Sequence, residues 1–194
     1  MTRRRTLVLL GALAVLAAGS GAFCVAMRFP PDTTPEGVYL RIAKSVSRGD
    51  VRGCFAYLED EAQHAAYSIR EYRQRAFDRV TSSYPEPERT RLLDAYRGHA
   101  TAPDGADVWL DLAERRGWTA RLRRDLSGIA KLEIVGERAT VETARGTRYA
   151  FRRRENGIWG LTLFTGELVG EAEKAARDWE VIQRAADDYD RGRR

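Results

Sequence analysis

The chain has 194 residues, with 33 basic and 28 acidic side chains, which is room for one ordinary domain and a targeting segment. Arg3, Arg4 and Arg5 precede every acid, and beyond them 30 basic residues face 28 acidic ones. No basic field is left for phosphates, so no nucleic-acid partner is expected; Cys24 and Cys54 are the two cysteines, which exclude a disulfide framework.

Met1-Thr2-Arg3-Arg4-Arg5 is followed by an uncharged run from Thr6 to Met27. A basic start and an apolar run make an export signal. Ser20-Gly21-Ala22 supplies the small residues of a cleavage site, which would release a chain starting at Phe23. The uncharged run is also long enough, at about 1.5 Å per residue, to span a hydrocarbon core of roughly 30 Å. Residues 1–27 are therefore a signal peptide or a transmembrane anchor, and on either reading the rest of the chain is expected outside the cytoplasm, tethered or secreted. The lipobox at Cys24 is spoiled by Phe23, and the twin-arginine pattern lacks its usual bulky residue and lysine.

Residues 28–34 read as a linker stiffened by Pro30 and Pro31. Thr34 then caps a helix with Pro35 in the first turn and Val38, Ile42 and Val46 along one face. Gly49 ends it, and Asp50 is expected to cap a second with Val51, Cys54, Phe55 and Leu58 inside. From Glu59 to Val80 one stripe carries Ala62, Ala66, Ile69, Tyr72, Ala76 and Val80, and Pro85 and Pro87 stop it. A further helix with Leu92, Leu93 and Tyr96 is expected to end at Gly98. Another, capped by Asp107, carries Trp109, Leu112 and Ala113 and closes at Gly117.

After Gly128 the apolar period drops to two. Leu132 with Ile134, Ala139 with Val141 and Thr143, Tyr149 with Phe151, and Trp159 with Leu161 and Leu163 each alternate with polar residues. Gly136-Glu137, Arg145-Gly146 and Asn156-Gly157 break the runs as hairpin turns do, which predicts a four-stranded antiparallel meander with one buried face. A last helix runs from about Glu167 to Tyr189 on a stripe of Leu168, Ala172, Ala175, Trp179, Ile182, Ala186 and Tyr189, with Glu173–Arg177 and Glu180–Arg184 as supporting pairs. The fold class is α+β, with one domain over residues 35–189 and a tail over 190–194.

Helices followed by a meander resemble the NTF2-like (cystatin-like) superfamily, including its small exported or membrane-anchored members. The likeness lies in Pro35, Val38 and Tyr39, the Gly49-Asp50 break, Phe55 and Leu58, and Trp159 after Asn156-Gly157. It implies a cone of helices closed over a curved sheet, whose mouth binds a small ligand, catalyses, or has no known role. Tyr39, Tyr57, Tyr149 and Trp159 are then the candidate cone lining. A helical stretch over 68–126 and the last helix depart from the pattern and are placed to fill the mouth, which favours an interaction role.

Few constellations carry chemistry. Glu61-Ala62-Gln63-His64 has the spacing used in di-iron bundles, but His99 is the only other histidine and lacks an acid at matching spacing, so no metal and no cofactor are expected. Arg152-Arg153-Arg154 and the Arg121, Arg123, Arg124 patch read as solvated faces. No Asp or Glu falls on an apolar stripe, so no catalytic acid is expected. Leu168, Trp179 and Ile182 are candidates for an interaction helix that docks on its own domain or on a protein partner. The resulting expectation is a non-catalytic envelope module tethered to the membrane or secreted. Its alternative is a small-ligand carrier or enzyme with its site inside the cone.

Overall fold

Each residue from Pro31 onward belongs to one unit, and the computed structural model of the protein describes residues 29–193. The export signal, the twin-arginine reading and Cys24 lie outside the described residues, as does Arg194. Among the described residues no helix is long and apolar enough to cross a membrane.

Helix α1 (Pro35–Ser47) starts as its sequence dictates: the Thr34 side chain accepts from the Gly37 amide at 3.1 Å, and Val38, Tyr39, Ile42 and Val46 are buried. Gly49 takes φ +79°, a left-handed turn that suits glycine. Asp50 Oδ1 accepts from the Gly53 amide at 3.0 Å, but the segment after it is a short 3-10 helix, Arg52–Tyr57, that buries Cys54 and Phe55. Burial pushes the Cys54 thiol up to about 12, so it is a packed hydrophobe and not a reactive thiolate.

Helix α2 (Asp60–Ser83) buries Ala62, Ala65, Ala66, Ile69, Ala76 and Val80. Helix α3 (Glu88–Ala100) runs through Gly98 and ends two residues later. The expected stop fails because Gly98 sits on an exposed face where a missing side chain costs only helix propensity. Helix α4 (Gly105–Arg115) is capped by Asp104, whose side chain accepts from the Ala106 amide at 2.8 Å and the Asp107 amide at 3.2 Å. Asp107, expected as the cap, lies inside the first turn instead. There the Arg52 guanidinium bonds its carboxylate at 2.9 Å and holds the carboxyl below its ordinary range. Helix α5 (Trp118–Asp125) buries Trp118 and Leu122.

Strands β1 (Ile129–Val135), β2 (Arg138–Thr143), β3 (Arg148–Arg153) and β4 (Trp159–Leu161) form an antiparallel sheet in sequence order. Gly136, Gly146 and Gly157 all have positive φ at the predicted hairpins. Leu163 falls beyond the short β4. Helix α6 (Thr165–Gly192) completes the described chain.

The sheet's inner face, with Val141, Tyr149, Phe151, Trp159 and Leu161, packs with α1, the 3-10 helix, α4 and α5 into the main core. Phe164 stacks on Trp118 at 4.7 Å and lies 5.2 Å from Trp109. One expectation fails here: Leu132 and Ile134 pair with Val141 and Ala139, and so share the core-facing side, yet they are 36% and 53% exposed. The sheet overhangs, because the cover that α1 provides lies chiefly on β2 and β4.

A second, smaller core joins α2, α3 and α6 through Ala76, Val80, Tyr84, Ile182 and Ala186, with Leu92, Leu93, Tyr96 and Trp179 at its margin. Along that seam Arg73 bonds Asp178 at 2.7 Å and Arg79 bonds Asp187 at 2.5 Å. Of the pairs expected on α6, Glu173 and Arg177 lie 3.6 Å apart, whereas Arg184 Nε donates to the Glu180 carbonyl.

Candidate functional site

The residues proposed as a cone lining come together, but as a packed interior. Tyr39 is 1% exposed and Tyr149 2%, their rings 5.7 Å apart. The Tyr39 hydroxyl donates to the Ser127 carbonyl at 2.5 Å and accepts from the Ser127 amide at 3.0 Å. Burial raises both phenols, Tyr149 to about 12. Trp159 is buried, and its ring N–H donates to the Thr33 carbonyl at 3.1 Å. Tyr57 is half-buried at the margin of the same core. The polar atoms of Tyr39 and Trp159 are thus committed inside the domain.

The interaction-helix residues divide between the two cores. Leu168 is buried in the first, Ile182 in the second, and Trp179 packs at the second's margin. Leu168 and Ile182 therefore face their own domain, and α2 is the surface on which α6 lies.

Two polar clefts stand outside these cores. The first, of about 400 Å³, is lined by Glu59, Asp60, Glu61, His64 and the run Arg152 to Glu155. Glu59, an acid that lies on no apolar stripe of the sequence, is nevertheless buried, at 4% exposure. Position and backbone explain it. Glu59 is the residue before α2, its amide donates to the Leu161 carbonyl at 3.1 Å, and a Cβ on Gly160 would lie 2.5 Å from its Cα. A glycine in β4 thus lets the start of α2 cross the strand closely. Thr165 Oγ1 donates to Glu59 Oε1. Oε2 is buried without a hydrogen bond, and Arg152 Nη1 lies 3.5 Å away. Arg154 is anchored by Asp60 at 2.5 Å and by the Ala56 carbonyl at 3.0 Å. The triple arginine is therefore part scaffold and part wall, not a uniform solvated face, and His64 is exposed at its rim.

The second cleft, of about 410 Å³, lies among α2, α3, α4 and α6 and includes Arg73, Tyr96, His99, Asp111, Arg115 and Asp178. His99 does have an acid, brought by the fold: its Nε2 lies 2.5 Å from Asp111 Oδ2. Arg115 bonds the same carboxylate, and Arg73 stands 4.8 Å over the Tyr96 ring. Burial pulls the His99 imidazole below its ordinary value, against the opposing pull of Asp111. The group is thus a neutral hydrogen-bonding member of an ion-pair cluster. Among the described residues no group of three or more His, Cys, Asp or Glu is arranged to hold a metal ion.

Sequence signals for both clefts were faint. Gly160 inside a strand is the mark of a close backbone approach, and it is what buries Glu59. The pairing of His99 with Asp111 obeys no helical or strand spacing, because the residues lie on different helices. Set against family models, curated proteins and solved structures, the chain matches none of them.

Proposed function

We propose that this chain is a non-catalytic interaction or accessory module of the cell envelope, delivered across a membrane by its N-terminal segment and working through its outer surface. The observation that carries the reading is the commitment of Tyr39, Tyr149 and Trp159 to the core, with the polar atoms of Tyr39 and Trp159 bonded to Ser127 and Thr33. A domain whose interior is filled offers its surface to partners. The NTF2-like relationship belongs to the same proposal and is supported by the order of helices, meander and buried late-strand tryptophan. The address is supported by Arg3 to Arg5 and the uncharged run after them. A reporter active only in export compartments, fused after Arg194, is expected to be active; activity of a cytoplasm-only reporter at that position would overturn the address. Intact mass separates anchor from cleaved signal.

A second reading, a small-ligand carrier, is favoured by one observation: a buried carboxylate oxygen of Glu59 without a hydrogen-bond donor, at the wall of a cleft within the volume range of small-molecule sites. The mixed charges of that cleft suit a zwitterion. Free amino acids that raised the melting temperature, with the rise lost in Arg152→Ala, would move the assignment to this reading.

A further inference from the structure

We propose that β1 is a self-association edge, on which two copies of this chain pair antiparallel about a two-fold axis through Leu132. The interface goes beyond the envelope-module reading and needs nothing from the N-terminal segment.

The edge is open and apolar. β1 is the first strand of the sheet, with β2 as its one neighbour. All its residues from Ala130 onward are exposed, among them Leu132 at 36%, Ile134 at 53% and Val135 at 78%. An exposed edge strand carries a row of unpaired amides and carbonyls, which is the template for adding another strand, and beyond an irregularity between Ile129 and Lys131 the pairing of β1 with β2 is regular as far as Val135. The opposite edge is closed to such pairing. There the Trp159 amide donates to the Asp32 carbonyl at 3.2 Å, and the Glu59 amide to the Leu161 carbonyl at 3.1 Å.

Charge complementarity selects the second copy as the occupant. Lys131 and Glu133 flank Leu132 on the outer face, with side chains 62% and 57% exposed, and they form an ion pair within the strand. A two-fold through Leu132 sets Lys131 of each copy opposite Glu133 of the other, so two cross-strand ion pairs replace two local ones. The same register lays Leu132 against its equivalent, which continues the overhanging inner face of Leu132 and Ile134 from one sheet into the other. Directly opposite residues in antiparallel strands share a face, so apolar meets apolar and charge meets opposite charge.

The test uses the full chain in detergent, with mass followed by light scattering across a dilution series. Wild type is expected to be a dissociable dimer. Lys131→Glu, which sets acid against acid twice, and Glu133→Lys, which sets base against base twice, should each weaken it by on the order of tenfold. An equimolar mixture of the two variants should recover a mixed dimer, because all the acids then lie on one strand and all the bases on the other. The double variant Lys131→Glu/Glu133→Lys should pair like wild type. Both side chains are exposed, so folding is not at stake. A wild type that stays monomeric at its highest soluble concentration overturns the proposal. So does a dimer insensitive to both single reversals, which would place its contact elsewhere, the N-terminal segment included.

Discussion

β1 and β4 are the two edges of one sheet, and they share the same two-residue alternation of apolar side chains, yet they end in opposite environments. Trp159, Gly160 and Leu161 are all buried, whereas β1 is exposed from its second residue on. Cover separates them. β4 has Leu58 bridged to Leu161, the Asp32 carbonyl on its first amide and the start of α2 crossing at Gly160; nothing comparable among the described residues lies over Leu132 or Ile134. Periodicity reports which face a side chain takes, and the neighbouring layer decides whether that face is dry.

The largest effect expected is at the covered end. Deleting 165–194 removes Leu168 from the first core and Ile182 and Ala186 from the second, so the shortened chain should lose its cooperative melting transition. An unchanged melt would mean that α6 contributes nothing to its own domain. Next comes Trp159→Ala, which empties a fully packed site and should cost about 3–5 kcal/mol, read as a lower midpoint in denaturant. An unchanged midpoint would contradict the closure of β4.

Much of this was legible in sequence, and the misses share a cause. Thr34 as a cap, the switch to strands after Gly128, the three hairpin glycines and the α6 stripe from Leu168 to Ala186 are local signals that appear where expected, whereas Tyr189 at the end of that stripe is 38% exposed. Asp104 displaced Asp107 as a cap because both precede the same apolar run and only geometry separates them. Glu59, Asp111 beside His99, and the overhang of β1 are products of tertiary packing, where residues far apart in sequence meet and no spacing rule applies.

A moderate effect is expected at His99. Burial holds its folded value below the ordinary one, with Arg115 and Arg73 adding to the lowering and Asp111 opposing it. The unfolded chain therefore takes up the proton first. Stability should be full above about pH 6.5 and decline as pH falls from there to the lowered folded value, levelling off below it. His99→Gln should flatten that decline in melting temperature; identical profiles for the two proteins would show that His99 is not held neutral by the fold. The smallest effect belongs to the open edge. Leu132→Ser, at an exposed position, should change the stability of dilute protein by no more than about 0.5 kcal/mol, and a larger loss would mean that β1 is covered after all.

The contrast between the edges is tested most directly by residue-resolved amide exchange on dilute protein. The amides of Trp159 and Glu59, bonded to the Asp32 and Leu161 carbonyls, should exchange slowly. Along β1 the amides should alternate, those directed at β2 protected and those directed outward exchanging at nearly the rate of an unstructured chain. Uniform protection along β1 in dilute solution, or rapid exchange at Trp159 and Glu59, would contradict the account of one closed and one open edge.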